Sequence, residues 1–121
     1  MSETRDLAQR ALASKHWRWQ RGMFAVGQMR GFCVGDADTA RRLNKYAFVV
    51  PDLDDPATIG CLLALVREAW GAHCFVEQIM DFEGHVYVVK VRETHTAQWL
   101  RMSMPKTSEA AALVAALEAA P

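Results

Sequence analysis

Apolar residues recur at helical spacing in three stretches of this chain and in short alternating or continuous runs between them. The clearest stretch is "DDPATIGCLLALVREAWG". There Asp55 stands as N-cap, Pro56 takes the first helical position, Ile59, Leu62, Leu63, Val66 and Trp70 form one stripe, and Gly71 supplies the stop. This predicts a helix over 55–70 laid on a core, and Gly60 inside it points to the close approach of a neighbour. Near the N-terminus Ser2 or Thr4 can cap a helix with Glu3 and Asp6 in its first turn. Leu7, Ala8, Ala11, Leu12 and Lys15 follow at helical spacing, and the helix should stop near His16. After Pro105, Thr107 is placed to cap a helix over 107–119 whose apolar face is Ala110, Leu113, Val114 and Leu117.

The runs between these helices have strand character. "GMFAVGQMRGFCVG" (22–35) reads as a strand, a turn at Gln28–Gly31 and a second strand. "YAFVV" (46–50) reads as another, ended by Pro51, which has no N–H for a ladder. "HCFVEQIM" (73–80) and "HVYVVKVRE" (85–93) flank Asp81-Phe82-Glu83-Gly84 and predict a hairpin. "HTAQWLRMS" (95–103) suggests a further strand, and "DADTARRLNK" (36–45) is either one helical turn started by Asp36 or Asp38, or loop. Strands that are grouped rather than alternating with helices predict a single α+β domain over 1–121. Its antiparallel sheet of about four to five strands would be packed by the N-terminal, central (55–70) and C-terminal (107–119) helices.

The Asp52–Gly71 block, "DLDDPATIGCLLALVREAWG", resembles the signature of a group of small proteins of unknown function encoded by tailed bacteriophages and prophages. The likeness extends to "KHWRW" with its following Gly-Met, to the Pro-Asp-Leu-x-Asp-Pro-Ala-Thr helix start, and to the ending "EAAALVAALEAAP". It implies a viral origin and assigns no chemistry and no catalytic residues.

Length and composition fit one domain: 121 residues, 51% of them hydrophobic, supply one ordinary core. The 14 basic and 14 acidic side chains cancel, so no global field draws the protein to nucleic acid. The balance conceals a division, because residues 1–45 hold nine Lys and Arg against four acids, a net +5, and no acid lies between Asp6 and Asp36. Three cysteines, Cys33, Cys61 and Cys74, lack any Cys-x-x-Cys spacing, and the start "MSETRDLAQR" lacks an apolar signal region. No apolar run approaches the roughly 18 residues of a membrane span. These features predict a soluble protein of the cytoplasm, with no membrane partner.

In the middle of the acid-free region stands "HWRWQRGM" (16–23), where Trp17, Arg18, Trp19 and Arg21 are the candidate binding surface. Aromatic faces stack on bases and arginines meet phosphates, which would make 10–30 a nucleic-acid surface. Tryptophan and arginine also dominate protein-binding hot spots. Against both stands a packing account: in extended chain Trp17 and Trp19 share one face, a natural core payload, while Arg18 and His16 share the other.

Other constellations carry less. The three cysteines with His16, His73, His85 and His95 have no zinc-ligand spacing, and Cys61 on the central helix reads as a small buried residue. Asp52, Asp54 and Asp55 crowd a helix start, where capping and dipole compensation explain them without a cation. Pro51-Asp52 would open a metal-dependent nuclease motif, but its Glu-x-Lys partner is missing, since Tyr87, Val88 and Val89 precede Lys90. The glycines at 22, 27, 31 and 35 lack the Lys-Ser/Thr of a phosphate loop. The expectation is therefore a non-enzymatic protein without catalytic residues, metal or cofactor that binds a protein partner or itself, with an exposed part of Trp17–Arg21 or an open sheet edge as the contact. The alternatives are a nucleic-acid-binding accessory protein using 10–30 and a small enzyme with no recognisable motif.

Overall fold

The computed structural model describes residues 3–27, 31–45, 49–71, 73–81, 84–92, 100–101, 106 and 108–121. In chain order the elements are α1 (Glu3–Ala13), β1 (Phe24–Val26), β2 (Gly31–Cys33), α2 (Ala37–Leu43), β3 (Val50–Pro51), α3 (Pro56–Trp70), β4 (His73–Asp81), β5 (Gly84–Arg92), β6 (Leu100–Arg101) and α4 (Glu109–Ala119). The fold is α+β with antiparallel pairing, as the pattern predicts. The strands do not form one sheet, however. They divide into two three-stranded sheets, β2-β1-β3 and β4-β5-β6. The reason is that β1 pairs across the chain with β3, joining Ala25 to Pro51 and Val26 to Val50, a partnership that local hydrophobic pattern does not encode.

α3 forms where the sequence placed it. Asp55 accepts the Thr58 N–H at 2.9 Å, Pro56 opens the helix, and Gly71 closes it in the left-handed region at φ 61°. Thr58 is fully buried and ties this start to the first sheet: its Oγ1 donates to Asp55 Oδ2 and accepts the Phe24 N–H at 2.8 Å. Gly60, in contrast, is exposed and no atom lies within 4 Å of where its Cβ would stand, so it marks no close approach. Residues 36–45 contain a real helix, α2, capped by Asp36 through the Thr39 N–H. α4 is capped by Ser108 rather than Thr107, one residue later than expected. α1 ends at Ala13, and His16 lies in the turn that follows; Lys15 is exposed and lies outside the helix stripe.

Pro51 is the last residue of its strand and not the stop beyond it. Asp52 N–H reaches the Phe24 carbonyl at 2.8 Å, so the Ala25–Pro51 pair between is of the non-bonded kind and the proline nitrogen faces the open side of an edge strand. The expected hairpin forms, β4 pairing with β5 from His73 opposite Arg92 to Asp81 opposite Gly84. Of the run 95–103 only Leu100 and Arg101 are described, pairing with Val91 and Lys90. Tyr46–Phe48 and the tip Gln28–Arg30 lie outside the described residues.

One core joins these parts. It runs from Ala8 and Ala11 of α1 through Trp19, Met23, Leu62, Leu65 and Val66 to Val89, Val91 and α4. α4 buries Ala112 and Ala116 as well as Leu113, Val114 and Leu117, and it touches α1, α3, β4 and β5. A helix apolar on nearly every side is a central element, not a surface one.

Candidate functional site

The segment His16–Met23 threads between elements and is held by several of them. Trp17 N–H bonds the Ser14 carbonyl at 3.1 Å, and His16 Nε2 lies 3.4 Å from the Ala120 carbonyl beyond α4. Arg18 makes a fork-to-fork pair with Glu68 on α3, both groups half exposed. Trp19 is 5% exposed and belongs to the core. Trp17 packs against the core and meets Trp19 edge to face, ring centroids 5.4 Å apart, with its Nε1 buried and unbonded among the described residues. Gly22, at φ 98°, donates to the Val34 carbonyl at 2.9 Å, and Val34 N–H returns to Met23 at 2.8 Å.

The two tryptophans therefore do share one side of the segment, as an extended chain requires, and that side is inward. Arg18 and Arg21 are exposed. A base could stack on Trp19 only by displacing core. Arg18 already has a carboxylate, and Arg21 stands at the rim of a shallow groove floored by Trp19, Gly35 and Ala40 and edged by Asp36 and Arg41. The Asp36 carboxyl is held below the usual carboxylate range, first by the Thr39 backbone N–H and then by the Thr39 side chain, with Arg42 and Arg21 adding to the effect. Arg41 pairs with Asp38. The rim thus alternates in sign instead of presenting a basic face.

Neither Cys61 nor Cys74 is a thiol of the activated kind. Burial pushes Cys61 up, helped by the Asp55 charge, and burial pushes Cys74 up against a smaller opposing effect of Arg67. Among the described residues no three His, Cys, Asp or Glu side chains converge as metal ligands, and no helix is long and apolar enough to cross a membrane. A groove of about 570 Å³ lies between Leu7, Leu53, Ile59, Leu63 and Ala110, with Asp54 and Glu109 also lining it. Nothing in it resembles paired acid–base chemistry.

An open sheet edge is the other expected contact, and the feature that the sequence reading did not locate is the outer edge of β4. Among the described residues this nine-residue strand has β5 on one side and no strand on the other. The direction of its backbone groups follows from β5: Tyr87 exchanges both its hydrogen bonds with Lys106, at 2.7 and 2.9 Å, so they point away from β4. Gln78, opposite Tyr87, must then turn its own N–H and C=O outward, and alternation gives the same for Cys74, Val76 and Met80. The Cys74 carbonyl is engaged by Arg67 Nε at 3.0 Å. Beyond it the edge carries no lysine, no proline and no bulge, the usual guards, and Met80 is 74% exposed. The absence of those guards in "HCFVEQIM" is the one sequence signal that marks it. Compared with protein-family models, curated proteins and solved structures, the chain matches none.

Proposed function

We propose that this is a non-enzymatic accessory protein of phage or prophage origin, working in the host cytoplasm by binding another polypeptide, and that β4 is the contact. One observation carries the reading: outward backbone groups at Val76, Gln78 and Met80 stand beside an exposed methionine on an unguarded edge. An added strand would satisfy those groups with main-chain bonds while side-chain fit on alternate positions selects the partner. The origin rests on the resemblance of the Asp52–Gly71 block and "KHWRW". Trp17, Arg18, Trp19 and Arg21 act in this reading mainly as a brace, leaving Arg21 and the outer fork of Arg18 to contribute a polar rim.

The test is a photo-crosslinking residue placed at Met80 in cells. The expected product is a polypeptide adduct that disappears when Gln78→Pro removes the central N–H from the edge. An adduct to nucleic acid alone, or binding that weakens steeply with salt and ignores Gln78→Pro, would overturn the reading in favour of a phosphate-gripping surface in 10–30.

A further inference from the structure

The open stretch of β4 has a centre. Arg67 engages the edge at Cys74, and the strand ends at Asp81, so the outward groups left for a partner belong to Val76, Gln78 and Met80. These are symmetric about Gln78. We infer that the polypeptide captured at this edge is a second copy of the same chain, its β4 running antiparallel about a two-fold axis at Gln78. The inference rests on the strand-addition reading above and names its partner.

In that register Gln78 pairs with Gln78 of the other copy, and Val76 pairs with Met80 in both directions. Every outward N–H and C=O from Val76 to Met80 gains a partner, and the exposed methionine covers valine instead of water. The same-face rule excludes any register shifted by a single residue of pairing, because that would set the core side of one hairpin against the outer side of the other. Of the two-fold registers that remain, one centred on Glu77 opposes the two Glu77 carboxylates and calls on the Cys74 carbonyl that Arg67 holds. One centred on Ile79 sets Glu77 against Asp81. Of these three the Gln78 register alone avoids like charges, since Glu77 then faces Ile79 and keeps its Lys90 partner within its own hairpin, and a register centred on Val76 would call on the Cys74 carbonyl that Arg67 holds. The product is one continuous sheet of two hairpins joined at their β4 strands, a closed isologous pair.

Sedimentation of the full chain over a range of concentrations tests this. A reversible monomer–dimer equilibrium is expected. Gln78→Pro removes a donor from each side of the axis at a position where an edge strand accepts proline, and should raise the dimer Kd at least about tenfold with unchanged circular dichroism. Met80→Lys, which leaves the backbone alone, should do the same through edge charge. Geometry is read separately by Gln78→Cys in a Cys33→Ser background. A bonded antiparallel pair holds its Cα atoms about 5.5 Å apart, within disulfide range, so a covalent dimer should form on oxidation, whereas His85→Cys, on β5 and away from the axis, should form no covalent dimer. A wild-type chain that is monomeric throughout while Met80 still crosslinks to some other polypeptide overturns the self-pairing and leaves the strand-addition reading standing. A monomer with no polypeptide adduct overturns both. A dimer that is indifferent to Gln78→Pro and Met80→Lys, and that Gln78→Cys does not trap, overturns the placement at β4.

Discussion

Two neighbouring residues, Arg18 and Trp19, look alike as candidates in the sequence and differ most in what the molecule asks of them. Trp19 is core and Arg18 is a half-exposed fork on Glu68. Truncating a buried tryptophan removes its whole apolar area and leaves a hole, so Trp19→Ala should cost about 3–5 kcal/mol in urea unfolding. Arg18→Ala should cost less than about 1 kcal/mol, because exposed ion pairs spend most of their attraction on side-chain entropy and solvent screening. Equal losses at the two positions would contradict this division. The sequence could show that both rings share a side, since that follows from strand alternation. It could not show which side is inward, since that depends on α3 and α4 closing over the segment from more than forty residues away.

At the scale of elements, what was readable is what is locally determined. α3 carries cap, proline, stripe and terminating glycine within one continuous stretch, and the β4–β5 hairpin carries its turn between its own strands. α2 was ambiguous because seven residues hold too few apolar positions to show a period, and only the Asp36 cap decides it. The separation into two sheets was not readable, since β1 chooses β3 across the whole of α2. Gly60 is the instructive failure. Glycine within a helix usually answers to a neighbour, yet here it faces open space beside the apolar groove. Gly60→Ala should therefore raise stability by about 0.5–1 kcal/mol, through helix propensity and a less entropic unfolded chain, as a shift in the urea midpoint with unchanged slope. A destabilised variant would mean that the groove closes on that position.

For the whole molecule, α4 decides the arrangement. It touches α1, α3 and the second sheet, and its alanines allow those neighbours to come near. Hydrogen exchange should accordingly be slowest at Leu113–Leu117 and at Val88–Val91, and fast throughout α2, which buries only Leu43. Comparable protection in α2 and α4 would contradict a core centred on the last helix. α1 packs on that same helix, and their Arg10–Glu118 pair joins residues 108 positions apart. As the chain emerges from the ribosome, Leu7, Ala8, Ala11 and Leu12 must wait for all the elements between α1 and α4 to be made before α4 arrives to cover them. Of the two helices α1 is thus synthesised first and secured only when α4 follows, so that in the interval its apolar face is open to chaperones and proteases.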